Sequence, residues 1–184
     1  MMAGMTTLAE PPYIILGCGY TGTRLTQALR ADGVPVRVCA RRVALLEPLR
    51  ALGADVQYLD AGKPRYFPVV LHGANYKGAA VVYSVPGTPD LPPGEAVRRA
   101  GEAAQKNGAS AFVYLGTSGV YGRNELPQND EWIDEDSPIS ASDPDMAGRL
   151  ADEAALESLA RGVLRTVNLR LSAIYGPALG PGHP

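Results

Sequence analysis

Residues Tyr13-Ile14-Ile15-Leu16 run straight into Gly17-Cys18-Gly19-Tyr20-Thr21-Gly22. The glycines have G-x-G-x-x-G spacing between an apolar run and a helix-like segment, the context in which that spacing wraps backbone around a pyrophosphate. Gly17 permits the tight turn out of a strand, Gly19 lets the backbone approach the phosphates, and Gly22 lets the following helix pack closely on a sheet. The helix N-terminus adds free N–H groups and a partial positive charge. The residues expected to bind a dinucleotide are therefore Gly17, Gly19, Tyr20, Thr21 and Gly22. Ser84-Val85-Pro86, at the end of the fourth apolar run, are expected to join them.

A second set of residues bears on which dinucleotide. In such a fold the tip of the second strand lies beside the adenosine ribose, where an acid favours NAD and an arginine accommodates the 2′-phosphate of NADP. Here the strand ends Val38-Cys39-Ala40-Arg41-Arg42, with no acid before Glu47. A forked guanidinium suits a phosphate, so Arg41 and Arg42 favour NADP, NAD remaining the alternative. Both arginines also fit an exposed, solvated turn. Asp60, just past the third apolar run, suits either a hydrogen bond from the adenine amino group or a turn that caps the strand.

The elements that must position these groups follow from apolar runs alternating with helix-like segments. Strands are expected at Tyr13–Leu16, Val36–Cys39, Val56–Leu59, Ala79–Ser84, Ala111–Leu115 and Leu164–Leu171. Near-continuous apolar runs suit parallel strands covered on both faces. Leu25, Ala28 and Leu29 mark one face of a helix ending near Gly33, and Glu95 to Asn107 reads as a helix closed by Gly108. Pro48 delays or kinks a helix over Ala44–Leu52. Ala61 to Gly78, with two prolines and three glycines, reads as a loop holding at most a short helix near Val69–Leu71. The expectation is a doubly wound α/β sheet of the Rossmann type. It has a loose tail over 1–12, one nucleotide-binding domain over 13–177 and a short tail over 178–184.

Composition excludes several other classes. The 184 residues suffice for one domain with a real core. A net charge of −2 gives no electrostatic case for nucleic acid or an anionic membrane. No apolar run approaches a membrane span, and Met1 to Pro12 lacks the layout of a signal peptide, which together suggest a cytoplasmic protein. Cys18 and Cys39 read as small buried thiols in a reducing compartment. With only His72 and His183, no metal-ligand cluster is visible.

Two further segments carry a resemblance. Phe112-Val113-Tyr114-Leu115-Gly116-Thr117-Ser118-Gly119-Val120-Tyr121-Gly122 looks like a strand followed by an S-S-x-x-V-Y-G loop. Leu169-Arg170-Leu171-Ser172-Ala173-Ile174-Tyr175-Gly176-Pro177 looks like a sixth strand and a Y-G-P turn. With the glycine motif, these resemble the extended short-chain dehydrogenase/reductase family, the NAD-dependent epimerase/dehydratase group. The resemblance implies oxidoreductase chemistry on a small carbonyl or hydroxyl substrate, with a nucleotide sugar as the family-level expectation. It also implies a hydroxyl residue that orients the substrate oxygen, a tyrosine that passes a proton, and a lysine that assists it. Thr117 falls at the hydroxyl position, with Ser118 adjacent. Tyr121 is the nearest remaining phenol, and its role in the family looks structural.

The Y-x-x-x-K motif is missing. Aligned through Glu153, its tyrosine falls on Asp145 and its lysine on Arg149. If the chain is active, the candidate catalytic residues beside Thr117 and Ser118 are Asp145 and Arg149, with solvent or Asp145 as proton donor, although an ordinary aspartate, at about 3.9, is a poor donor near neutral pH. Ser142-Asp143-Pro144-Asp145 reads as a helix start capped by Asp143, and Asp145, Arg149 and Glu153 as an i, i+4 charge ladder on a solvated face. These features, with the acidic Trp132–Pro138 loop, resemble an atypical subgroup that lacks the tyrosine. The chain also ends soon after the Y-G-P turn, where family members continue into a substrate lobe, and exposed apolar surface there suggests self-association or a partner chain. The alternatives to an active enzyme are a non-catalytic dinucleotide-binding module and an inactive fragment. His183 reads as a solvated tail residue.

Overall fold

The computed structural model describes residues 10–122, 132–139 and 144–177. The readings of 1–9, of Ser142 and Asp143 as a helix cap, and of His183 in the 178–184 tail lie outside these residues. The elements are β1 (Tyr13–Leu16), α1 (Tyr20–Ala31), β2 (Val36–Ala40), α2 (Glu47–Ala51), β3 (Asp55–Tyr58), α3 (Phe67–Leu71), β4 (Ala80–Tyr83), α4 (Glu95–Lys106), β5 (Ala111–Thr117), α5 (Pro144–Ala160) and β6 (Arg165–Leu171). All pairings are parallel, in the order β3-β2-β1-β4-β5-β6. Consecutive strands run outward from β1 to β3, then the chain crosses back and runs outward again from β4. The sheet is doubly wound, and its order reverses between β1 and β4.

Alternation along each strand sends side chains to two cores. Ile14, Leu16, Val81, Tyr83, Phe112 and Tyr114 pack with α3, α4 and α5 on one face. Ile15, Val36, Val38 and Val82 form the other core with Leu46 and Leu49. Strands buried on both faces cannot show a polar–apolar alternation, which explains the continuous apolar runs.

The crossovers follow local chemistry. Pro48 lies in the first turn of α2, after a 3-10 turn over Val43–Leu46, so that helix starts late rather than kinking. The 61–78 crossover holds α3 and two 3-10 turns. On α1 the buried residues are Gly22 and Thr26, with Leu25 and Leu29 partly covered. Ala28 is exposed, which corrects its assignment to the packing face. The close approach at Gly22 displaces the seam: a Cβ there would lie 3.1 Å from Ile15 Cγ2.

Helix α4 begins at Gly94, whose φ is +80°. A Cβ there would lie 2.6 Å from the Ala151 carbonyl oxygen on α5, so left-handed backbone and a close helix contact coincide. Gly94→Ala is expected to cost about 2 kcal/mol or more of stability. Chemical denaturation checks this, and an unchanged midpoint would mean that α4 and α5 do not meet at this point.

Candidate functional site

The C-terminal ends of β1, β2, β3 and β4 surround a cleft of about 540 Å³. Its floor is the glycine turn. Gly17 has φ +84°, and the Gly17 and Cys18 amides both donate to the Cys39 carbonyl at the end of β2, at 2.9 and 3.0 Å. A Cβ on Gly17 would lie 2.7 Å from the Ser84 carbonyl oxygen, whereas one on Gly19 would meet nothing within 4 Å. The first glycine is therefore required by the protein's own backbone. The second borders open space.

Gly17, Gly19 and Tyr20 line this cleft, with Ser84, Val85 and Pro86 after β4. Arg41 and Arg42 line its β2 side, both exposed, and neither side chain hydrogen-bonds another described residue. Asp60 also lines it, in a turn: its carboxylate accepts from the Gly62 amide at 3.2 Å and pairs with Lys63 at 3.2 Å. Thr21 and Gly22 do not line the cleft. They sit in the first turn of α1, where Gly22 is packed against Ile15 and the Cys18 sulfur. Burial pushes the Cys18 thiol above its ordinary value, so it remains protonated.

A second cleft, of about 1070 Å³, opens at the ends of β5 and β6. Thr117 and Ser118 line it with Tyr121, Asn168 and Arg170. The Thr117 hydroxyl oxygen accepts from the Gly119 amide at 3.1 Å, which opens the 3-10 turn over Ser118–Tyr121. Arg149 lines neither cleft, and Asp145 is placed only as a residue of the first turn of α5.

Residues 94–184, which contain the second cleft, match the family described as NAD dependent epimerase/dehydratase. This part of the chain belongs to the NAD-dependent epimerase/dehydratase family. Solved structures share its fold. A protein of Methylobacillus flagellatus assigned to the NAD-dependent epimerases/dehydratases is 26% identical with a TM-score of 0.68, the match covering 91% of this chain and 56% of that one. A short-chain dehydrogenase/reductase superfamily protein of Agrobacterium tumefaciens with bound NAD is 23% identical with a TM-score of 0.68, covering 86% and 48%. The Bordetella bronchiseptica enzyme WbmG in complex with NAD is 21% identical with a TM-score of 0.73, covering 97% and 58%. The chain thus spans about half the length of these structures. Among curated proteins, none matches it significantly.

The residues read as a charge ladder lie where α5 meets the sheet. Arg149 and Glu153 do not lie on a solvated face. Glu153 is buried and accepts from Arg170 Nη2 at 2.9 Å and Nε at 3.2 Å. Arg149 is half-buried beside Tyr114 and Asp152. The reason is packing: α5 lies against β5 and β6, so its Arg149–Glu153 face turns inward. Sequence reading missed Arg170, Glu153 and Tyr121 as one group, although the Arg170 and Tyr121 positions stood inside the quoted motifs. The Tyr121 hydroxyl accepts from Arg170 Nη1 at 2.6 Å.

Asp152 is buried too, and accepts from the Tyr114 hydroxyl at 3.0 Å. Burial raises its carboxyl above the ordinary range, against the lowering effect of Tyr114 and Arg149. The folded state therefore holds this proton over a window in which the unfolded chain, near 3.9, has released it. Stability from this group falls as pH rises through that window and is undiminished below it. Asp152→Asn keeps an oxygen for Tyr114 and removes the buried charge. It is expected to raise the melting temperature at pH 7 more than at pH 4. A gain that is larger at pH 4 would contradict the sign.

Proposed function

We propose that this chain binds a nicotinamide dinucleotide in the first cleft, NADP in preference to NAD, and that it serves oxidoreductase chemistry on a small carbonyl or hydroxyl substrate in the second. One observation carries the reading. At the point where the sheet order reverses, Gly17 is closed against Ser84 while Gly19 faces vacant space, a cradle that a Cβ at position 19 would begin to fill. Ligands of open α/β sheets bind at such a reversal. The cleft's volume suits a cofactor-sized ligand.

Gly17, Gly19 and the first turn of α1 would hold the pyrophosphate, and Arg41 and Arg42 the phosphate that distinguishes NADP. Asp60, already engaged by Gly62 and Lys63, shapes the adenosine end. Bound there, the cofactor supplies or accepts a hydride. Thr117 and Ser118 orient a substrate oxygen: the Thr117 oxygen takes the Gly119 amide, which leaves its own proton free to donate. The family's nucleotide-sugar substrates are one instance of the class. A second reading, a dinucleotide-binding module without turnover, is favoured by the placement of Arg149. It stands at the position of the family lysine yet lies beside Tyr114 and Asp152, outside both clefts.

Calorimetric titration with NADPH and NADH tests the cofactor. Replacing Arg41 and Arg42 by alanine is expected to weaken NADPH about 10- to 100-fold, the worth of one or two charge-assisted hydrogen bonds, and to leave NADH nearly unchanged. Equal losses for both cofactors would remove the arginines from phosphate recognition. Gly19→Ala is expected to weaken both cofactors with the melting temperature unchanged, because the new methyl meets no protein atom. Full affinity in that variant would show that nothing approaches the backbone there.

A further inference from the structure

We propose that Tyr121 is the proton-transfer residue of the second cleft, with Arg170 as the cation that supports its phenolate and Glu153 as the residue that positions Arg170. This inference rests on the oxidoreductase reading above, since it assigns a step of that chemistry.

The argument begins with what a reduction in this cleft requires. A carbonyl oxygen that becomes a hydroxyl must receive a proton, and a side chain that gives it must stand in the cleft with that proton uncommitted. Asp152 fails this test, because it lines neither cleft and its carboxylate is engaged by Tyr114. Tyr114 fails as well: its hydroxyl donates to Asp152, so its proton is already held. Among the described residues, Tyr121 is the phenol that lines the second cleft, on the 3-10 turn that directly follows Thr117.

Its hydrogen bond runs in the opposite sense to that of Tyr114. Arg170 Nη1 donates to Tyr121 Oη at 2.6 Å, and a guanidinium has no acceptor to offer in return. The phenol proton is therefore not consumed by this contact, and no acceptor for it appears among the described residues. The guanidinium also stands 5.0 Å from the ring centroid. A positive charge thus lies beside the oxygen that becomes negative once its proton leaves. Arg170 is fixed in turn: Nε and Nη2 engage Glu153, which is buried, and Nη1 also reaches the Glu135 carbonyl at 3.5 Å. With the fork held along one edge, Nη1 is left to the phenol and, at longer range, to the Glu135 carbonyl.

The step balances as follows. With a bound nicotinamide as hydride donor, the carbonyl carbon would gain the hydride and the carbonyl oxygen the π pair. That oxygen takes the proton from Tyr121 Oη, leaving a phenolate beside Arg170. Solvent water then returns a proton to Oη. Thr117 and Ser118 hold the same oxygen from the neighbouring turn.

The test needs neither substrate nor cofactor. An aryl sulfonyl fluoride modifies phenols through their phenolate, and peptide mass spectrometry of the intact labelled protein resolves each tyrosine. Tyr175 is 90% exposed and serves as the internal reference. Tyr121, although partly covered, is expected to react at least about tenfold faster than Tyr175, as a cation in contact with a phenolate implies. Arg170→Lys keeps a cation and should retain much of the excess. The double change Glu153→Gln with Arg170→Gln removes both charges together, avoids stranding one of them, and should bring Tyr121 to or below the reference rate. Labelling of Tyr121 in the wild-type protein at or below the rate of Tyr175 overturns the assignment, as does an excess that survives the double change. Failure of the cofactor reading appears separately, as absence of NADPH binding by calorimetry, which this labelling does not use.

Discussion

The turn leaving β1 passes so close to the residues after β4 that no side chain fits at position 17, and the rest of the upper sheet is arranged around that contact. A Cβ there would lie 2.7 Å from the Ser84 carbonyl oxygen, and beyond the left-handed backbone at Gly17 the Cys18 amide donates to the Cys39 carbonyl and the Gly19 amide to the Gly17 carbonyl. Three strand ends are thereby tied at one level: Leu16 pairs with Cys39 on one side and with Tyr83 on the other. The cleft above them is a consequence. Where neighbouring crossovers depart to opposite faces of the sheet, nothing covers the point of departure.

The β5–β6 half obeys a different constraint. Its residues facing α5 are Asn168 and Arg170, in register with Tyr114 and Gly116, so this part of the helix–sheet interface is polar. Such an interface is stable only if its charges are paired and hydrogen-bonded. Glu153 meets the edge of Arg170, Asp152 meets Tyr114, and Gly116 leaves room for the Asn168 side-chain oxygen, where a Cβ would lie 2.8 Å away. That oxygen is buried and has no protein partner among the described residues. The other side of β6 carries Leu169, which is 42% exposed. The usual arrangement of an edge strand is inverted here: polar residues face the helix and an apolar one faces out.

That inversion explains what the sequence conceals. The strands, their order of occurrence and the glycine turn were legible because local rules govern them: apolar runs, proline positions and glycine spacing. The strands fell within a residue or two of their expected ends. Arg165-Thr166-Val167-Asn168-Leu169-Arg170-Leu171, by contrast, alternates in the manner of a strand with its polar side toward water. Asp145, Arg149 and Glu153 likewise have the spacing of a surface ladder. In each case a local partner is implied, and in each case a distant one wins. Glu153 bonds Arg170, 17 residues on, and Arg170 bonds Tyr121, 49 residues back. Residue types alone do not reveal such a choice, because an i, i+4 pair is worth only about 0.2–0.5 kcal/mol and tertiary packing overrides it easily.

The two halves are joined by the segment that follows β6. Arg24, from α1, donates through Nη2 to the Pro177 carbonyl at 2.9 Å, and its guanidinium lies 5.2 Å from the centre of the Tyr20 ring. Tyr20 lines the first cleft, and its hydroxyl rests where a side chain at Gly176 would otherwise stand. Ser172 and Ala173, at the start of the same segment, line the second cleft. One helix turn therefore touches both the glycine loop and the strap that borders the neighbouring site. This contact makes the glycine at position 176 a requirement of packing between the two halves. Its φ of 153° is open to glycine far more readily than to other residues, so the backbone and the neighbouring ring impose the same choice.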